Sequence, residues 1–563
     1  MRNYYLLVLL GILFLTFSAF SQLKAQSSWG DYTLYASMNG TKAYLIDLNG
    51  TIYHQWTFPS TKKTGYSTYL LPGGNLVRTV VNPGNVINGG GGTGCVQKVD
   101  WNGIVFWDFV YSSSTYCLHH DICPLANGNV LMISYEVKTA PQAVQAGSAT
   151  SITIWSEKIM EVQPTGATSG NVVWEWHVWD HLSQNVNSTK DNYVTSISDH
   201  PELFNINYQT SKDWLHMNGI DYNVALDQIT FSSHYLNEVY VIDHSTTTAE
   251  AAGHTGGNSG HGGDLLYRWG NPAAYSISAT ANFNVVHDAH FVPADCPKAG
   301  YIAAFNNRGG TGGKSCVDLI DPPYDGYNYY HNPGTAYAPS TYNWRHTYSG
   351  SYTQDMGNSQ QLPNGNTLIC IAQSGYIYEI DSNQAVVWSK STGSTVAQAF
   401  RYTSCYVNGT AVTPLITLNG NTLSATSSAS YQWYLNGVLI DGATSQSFIP
   451  VQAGNYQVQV VDNSGCTSGL SAVYAMTGAG IDNFQKLKLT ITPNPSTGMI
   501  SIKGLPASFQ NIEIVVCDAY GKLILKTRNV DILDLSAFQN GVYFVTVKSD
   551  NDVASSKRIV LIK

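Results

Sequence analysis

His120-Asp121-Ile122-Cys123-Pro124-Leu125-Ala126-Asn127-Gly128-Asn129 is a polar head, an apolar strand and a turn, and the chain repeats that phrase. It returns as His216-Met217-Asn218-Gly219-Ile220 and as His287-Asp288-Ala289-His290-Phe291-Val292-Pro293, with weaker echoes at residues 66–75 and 355–366. A second repeat lies between the copies: a strand ending in an acidic turn, then glycine, then a strand carrying tryptophan. Tyr44-Leu45-Ile46-Asp47 leads to Gly50 and Trp56, Val99-Asp100 to Gly103 and Trp107, and Ile159-Met160-Glu161-Val162 to Gly170 and Trp174. Val239-Tyr240-Val241-Ile242-Asp243 leads to Trp269, a degenerate copy ends at Trp344, and Ile377-Tyr378-Glu379-Ile380-Asp381 leads to Trp388. Alternation marks the strands of these six hairpins and the polar-glycine pairs mark their turns.

Each hairpin joined to one strand of the first kind predicts an all-β chain whose residues 26–402 form a six-bladed β-propeller. The strand at residues 32–37 is expected to complete the last blade and close the ring. Inserts near residues 135–155, 180–212, 245–262 and 308–342 are expected as loops over one face. A solenoid or a pair of β-sandwiches is the competing arrangement. In a propeller the inner strand of each blade lines a shared channel, so histidines distant in sequence would converge there.

Composition agrees with a β-rich exported protein. Of 563 residues only 12% are charged, while glycine (51) and tyrosine (37) are abundant. A net charge of −9 without a basic stripe argues against a nucleic-acid partner. Residues 1–25 carry Arg2, an apolar run over residues 4–17 and a small-residue exit, as a secretory signal peptide does, with cleavage expected after Ser21 or Ala25. The run is short for a bilayer span, and no integral membrane segment is expected in the mature chain. Nine cysteines make a few disulfides possible, the candidates being Cys117 with Cys123, Cys296 with Cys316, and Cys405 with Cys466. Cys370 and Cys517 are expected as plain thiols.

Residues 403–476 change character: Tyr431-Gln432-Trp433-Tyr434-Leu435-Asn436-Gly437 and Gly454-Asn455-Tyr456-Gln457-Val458-Gln459-Val460 are strands of a small β-sandwich. The stretch resembles the Ig-like modules near the C-termini of exported proteins of the Bacteroidetes type. A linker is expected over residues 477–484. Residues 487–563 then carry Ile491-Thr492-Pro493-Asn494-Pro495 with Gly498, Asp518 with Gly521-Lys522, Asn540-Gly541-Val542-Tyr543 and the ending Lys557-Arg558-Ile559-Val560-Leu561-Ile562-Lys563. This second sandwich resembles the C-terminal sorting domain of the type IX secretion system. The resemblance implies that export machinery as a partner and a secreted or cell-surface location.

Four histidines stand where chemistry is expected: His120, His216, His234 and His287. Neutral imidazole is a usable nucleophile near pH 7. Imidazoles and amides without carboxylates suit an anionic group that develops charge on its peripheral oxygens. The plain alternative is that each histidine caps a turn or packs on tryptophan. A metal at His119-His120-Asp121 is not expected, because neighbours on one strand point to opposite faces. No metal site and no cofactor are therefore assigned. A serine hydrolase lacks support, since no Gly-x-Ser-x-Gly elbow is present.

On the His120-Asp121 segment, His216-Met217-Asn218, Ile229-Thr230-Phe231-Ser232-Ser233, and His287-Asp288 followed by Phe305-Asn306-Asn307, residues 30–395 resemble the bacterial arylsulfotransferases (aryl-sulfate sulfotransferases). The resemblance implies a propeller that moves a sulfuryl group from a small aromatic sulfate donor to a phenolic acceptor with no nucleotide cofactor. It implies that His287 becomes transiently sulfated, with His120 and His216 in support and Asn218 donating to an oxygen. After Ser232-Ser233 the family pattern has an arginine, and this chain has His234; Arg308, beside Asn307, is the candidate replacement. His290 should face away from His287 by alternation. The rival is a non-catalytic surface propeller that binds glycan or protein through its tyrosine- and tryptophan-rich loops.

Overall fold

The structure is a computed structural model and describes residues 28–350, 352–409, 411–463, 465–476, 489–504, 512–549 and 552–563. The expected signal peptide at residues 1–25 and the linker at 477–484 lie outside the described residues. The chain divides into two units, one ending at Gly409 and one beginning at Thr410.

In the first unit, consecutive strands fold back on one another into antiparallel sheets. Thr64–Leu70, Leu76–Val81, Gly94–Val99 and Val105–Val110 form one sheet in chain order. Equivalent four-stranded sheets begin with Tyr116–Pro124, Met217–Asn223, Val286–Phe291 and Asn358–Gln361. One more is assembled from both ends of the unit: Ala399–Tyr402 pairs with Tyr32–Ala36, which is followed by Lys42–Asp47 and Ile52–Thr57. The described residues of this unit thus hold six four-stranded sheets, and its architecture is that of a β-propeller. The leading strands touch in sequence, Thr64–Leu70 against Tyr116–Pro124, then Met217–Asn223, Val286–Phe291, Asn358–Gln361 and Ala399–Tyr402. Tyr32–Ala36 returns the contact to Thr64–Leu70.

Both sequence repeats have a physical job in this ring. The tryptophans staple each sheet to the next through the indole N–H. Trp56 donates to Asp100 O (3.0 Å), Trp107 to Ser169 O (3.0 Å), Trp174 to the Thr246 hydroxyl (3.2 Å) and Trp269 to Pro339 O (2.6 Å). Trp388 closes the circle on Leu48 O at 2.7 Å. Trp344, the degenerate copy, packs beside Phe305 and Val317 instead. Trp56 is 1% exposed, so Trp56→Ala is expected to cost about 3–5 kcal/mol as a large buried aromatic. Trp56→Phe, which keeps most of the packing and loses the hydrogen bond, should cost nearer 1 kcal/mol on that account plus the smaller ring. Denaturant titration of the two variants separates the contributions; equal midpoints would show that the indole N–H carries nothing.

The aspartates of the first phrase act on the inner side. Asp221 accepts from Phe291 N (2.9 Å) and Asp288 from Ser359 N (2.8 Å), each reaching the leading strand of the following sheet. Asp121 accepts from Ile122 N (2.9 Å), from Tyr69 O–H (2.8 Å) and from the Gln398 amide (3.1 Å). Burial first of all pushes the carboxyl of Asp121 up to about 7 and raises those of Asp221 and Asp288.

The second unit contains two pairs of sheets. Ile416–Asn419, Thr422–Ala425 and Ser447–Phe448 form a three-stranded sheet, and Val438–Leu439, Ser430–Leu435, Gly454–Val461 and Tyr474–Met476 a four-stranded one. Their shared core holds Trp433, Tyr456 and Val458. Thr490–Thr492, Met499–Lys503 and Ile532–Asp534 form a sheet, as do Leu523–Arg528, Glu513–Asp518, Gly541–Ser549 and Asp552–Leu561. Ile500, Ile514, Val545 and Ile559 are buried between those two.

Neither Cys405 nor Cys466 is a free thiol. The expected pairs Cys117–Cys123 and Cys296–Cys316 do not form; all four are free thiols, as are Cys370 and Cys517. Cys117 and Cys123 lie in one strand on either side of its bulge, Cys117 buried opposite Tyr135 and Cys123 half-buried opposite Leu131. Among the described residues no helix is long and apolar enough to cross a membrane.

Candidate active site

The heads of the leading strands are bulged, and the bulges decide where the histidines go. Pairing register shifts between Leu118 and Ile122, between Met217 and Gly219 and between His287 and His290. His120 (φ +47°), His216 (φ +56°) and Asp288 (φ +57°) take left-handed backbone conformations there, which an unbulged strand does not allow. Strict alternation therefore fails at these residues. His119 and His120 were expected on opposite faces; instead their Nδ1 atoms lie 2.9 Å apart. His119 is stacked on Tyr135 at 3.7 Å between ring centres, and burial drives its pKa well below the ordinary histidine value.

The structure brings four of the anticipated residues into one row. Successive ring centres of His120, His216, His234 and His287 are 4.7, 5.2 and 5.5 Å apart, each ring edge-on to the next. His287, His120 and His216 are 1%, 4% and 8% exposed, so any ligand that meets them leaves bulk water behind. Burial lowers the pKa of His287 and of His120 well below 6.5, and brings His234 down to about 4. These three rings are neutral at neutral pH.

One nitrogen of His287 is free of a proton, and the hydrogen bonds identify it. The Asn307 amide nitrogen donates to Met356 O (2.8 Å) and Thr353 O (3.1 Å), which fixes its Oδ1 toward His287 Nδ1 at 2.7 Å. Nδ1 must then carry the proton, leaving the Nε2 lone pair to accept from Met356 N–H at 3.2 Å. His290 contrasts with it. Burial opposes its charged form, but the carboxylates of Asp288 and Asp221 outweigh that and lift it to about 9. Its Nδ1 is 3.2 Å from Asp288 Oδ2 and its Nε2 2.7 Å from Gln361 Oε1. A protonated ring with both nitrogens engaged has no lone pair to offer.

His216 Nδ1 lies 2.7 Å from Asp213 Oδ2, and the Tyr135 hydroxyl donates to Gly90 O at 3.1 Å beside the pair. Asn218 is fully buried between strands: its amide donates to Val286 O (2.8 Å) and its oxygen accepts from Ser232 O–H (2.7 Å). Arg308 lies near enough to act electrostatically on the His234 ring, stands over Tyr352 at 5.4 Å, and has a buried Nε without a partner among the described residues.

Sequence reasoning missed the glycine run Gly89–Gly92. A Cβ on Gly89 would meet the Tyr135 ring at 2.7 Å, on Gly90 His216 Cε1 at 2.5 Å, and on Gly91 His120 Cε1 at 2.3 Å. Four glycines in succession were the available signal; that they press on three channel rings needs the fold. Tyr66 was also missed as a site residue: its ring lies 5.1 Å from that of His120, and its buried hydroxyl has no partner among the described residues.

Residues 68–393 match the family model described as Arylsulfotransferase (ASST), over more than half of the chain. The chain belongs to the arylsulfotransferase family. Membership supports a sulfotransferase function, and the arylsulfotransferase match spans the leading strands that hold the histidine row. Residues 490–563 match the secretion system C-terminal sorting domain, of the type IX system, which marks this arylsulfotransferase as a secreted or cell-surface protein. No curated protein matches the chain significantly. Similar solved structures include a protein of unknown function from Bacteroides caccae, with 11% identity and a TM-score of 0.37, covering 66% of this chain and 98% of that one. Virginiamycin B lyase from Staphylococcus aureus is 9% identical with a TM-score of 0.30, over 70% of this chain and 91% of its own. The dihydro-heme d1 dehydrogenase NirN gives 8% identity and a TM-score of 0.29, covering 81% and 76%.

Proposed function

We propose that this propeller transfers a sulfuryl group from an aryl sulfate to a phenol through a sulfated His287. The observation that carries the proposal is the His287 tautomer, with Nδ1–H held by Asn307 and the Nε2 lone pair accepting from Met356 N–H, a 3.2 Å contact that an incoming sulfur would displace. In the first step Nε2 attacks sulfur, the N–S bond forms and the S–O(aryl) bond breaks. The electron pair leaves on the phenolate oxygen, which takes a proton from water. The sulfated ring carries positive charge, and Asn307 Oδ1 accepts from its Nδ1–H. In the second step an acceptor phenol gives up its proton to water and its oxygen attacks sulfur. The N–S bond breaks and the pair returns to Nε2. Sulfuryl transfer resembles phosphoryl transfer in having a loose transition state, so positioning and electrostatics do most of the work.

The supporting roles follow from the surroundings. His120 and His216 donate N–H to sulfuryl oxygens. Asn218, with its amide engaged between strands, holds the sheet of His216 against that of His287. His234, neutral because of its burial, cannot replace a permanent cation. Arg308, with its unpartnered Nε, is the cation for the developing charge. Two-step transfer predicts ping-pong kinetics.

The test is incubation of the protein with a chromogenic aryl sulfate and a phenol. The expected result is release of the donor phenol, appearance of the sulfated acceptor, and a sulfuryl mass on the peptide containing His287. No release and no modified histidine would remove the enzymatic function and leave a binding propeller. In the same assay Arg308→Ala should lower kcat/KM by about 10²–10³-fold, the usual cost of deleting one oxyanion donor. An unchanged rate would take Arg308 out of the mechanism.

A further inference from the structure

Away from the channel, three residues from two of the long inserts meet around one carboxylate oxygen. His181 follows the short 3-10 turn Val178–Asp180, His254 follows the helix Thr248–Ala251, and Asp264 precedes the strand Tyr267–Trp269. Asp264 Oδ1 lies 3.0 Å from His181 Nδ1 and 2.7 Å from His254 Nδ1. The three ligand-type atoms are all within 4.8 Å of one another.

His181 decides what the cluster can hold. Its ring is fully buried and stacked on Trp176, with 5.5 Å between centres and planes 9° apart. Its Nε2 lies 2.8 Å from Ala251 O, a pure acceptor, so Nε2 carries a proton. Between Nδ1 and the carboxylate oxygen there must then lie a positive centre, a second proton or a metal ion. A second imidazole nitrogen addresses the same oxygen. A ring that donates its remote N–H to a backbone carbonyl and directs its other nitrogen at a shared point is the usual posture of a metal-bound histidine. Gly263, whose Cβ would lie 2.6 Å from His181 Nε2 and 2.0 Å from Ala251 O, allows the approach.

We propose that His181, His254 and Asp264 bind one divalent transition-metal ion, and that the ion ties the glycine-rich segment at residues 252–264 to the propeller. Two imidazoles and a carboxylate suit zinc among the common ions. Tetrahedral zinc with bonds of about 2.0–2.1 Å separates its ligand atoms by roughly 3.3 Å, so the observed 3.0 and 2.7 Å require the nitrogens to move outward by about 0.3 and 0.6 Å. His181 and Asp264 form the fixed wall; His254, whose side chain is 60% exposed, swings onto the ion. Asp264 also lines a cleft with Glu202, His261 and Tyr329, which gives water a route to the remaining coordination position. The role is structural: the segment buries little apolar surface of its own, and a site shared by two inserts supplies the missing tie.

The experiment loads the full chain with zinc sulfate, dialyses it against zinc-free buffer and measures retained zinc by elemental analysis. The wild type should retain close to one equivalent, and His254→Ala and Asp264→Asn should each retain almost none. His254→Ala removes an exposed side chain, so its fold, followed by circular dichroism, should be unchanged. Chelation should speed proteolytic cleavage within residues 252–264 of the wild type but not of His254→Ala. Zinc lost from the wild type on dialysis, or held equally by both variants, would overturn the proposal.

Discussion

The His287→Ala protein should release no phenol from an aryl sulfate at a useful rate, a loss of about 10⁴-fold or more, as expected when a covalent nucleophile is removed. Burial holds His287 neutral, and Asn307 fixes which nitrogen has the lone pair. His290 is the informative control, because its ring is protonated up to about 9 and flanked by Asp288. The His290→Ala protein should still form a sulfated histidine; loss of the adduct there, with its retention in His287→Ala, would reverse the assignment. The pH profile carries the same information. A neutral nucleophile is lost as pH falls through its own pKa, and burial places that pKa below 6.5. The rate of donor-phenol release should therefore stay flat on going down to pH 6.5 and decline only below it. An acid limb centred above that value would point to a different titrating group.

Gly91→Ala is expected to lower kcat/KM by about 10²-fold, although residue 91 would touch no substrate, because a displacement of about 1 Å in a catalytic group can cost that much. The new methyl would stand 2.3 Å from His120 Cε1 and 2.4 Å from its Nδ1, so the His120 ring, 4.7 Å from that of His216, must shift. Gly91 also has φ +65°, so backbone strain of roughly 1–3 kcal/mol accompanies the clash. Gly103→Ala separates the two effects: φ there is +86° and the added Cβ meets nothing within 4 Å. Its protein should lose stability in a denaturant titration and keep its activity. Equal activities for the Gly91 and Gly103 variants would mean that the glycine run does not position His120.

The radial repeat was legible because both of its phrases perform contacts that recur around the ring. Trp56, Trp107, Trp269 and Trp388 bond to the next sheet, and Asp221 and Asp288 reach the next leading strand. The convergence of His120, His216, His234 and His287 followed from that topology. What the sequence concealed lies where local conformation breaks period two. The bulge that turns His120 to φ +47° puts His119 beside it, against the expectation from alternation. The disulfide guesses at Cys117–Cys123 and Cys296–Cys316 failed because proximity along the chain says nothing of which sheet neighbour a thiol packs on. Asp213, Gly89–Gly92 and the His181–His254–Asp264 cluster join inserts whose paths no periodicity describes.

The pairing of Ala399–Tyr402 with Tyr32–Ala36 sets a birth order for the molecule. The N-terminal strand of the ring waits for the C-terminal one, so Tyr32–Ala36 keeps a bare hydrogen-bonding edge until translation has passed residue 402. The thermodynamic cost of joining such distant segments grows only logarithmically with their separation; the delay is one of time. The same delay makes premature termination hazardous. A product that stops short of Ala399 is an open ring with two raw edges, and such edges recruit strands from other chains.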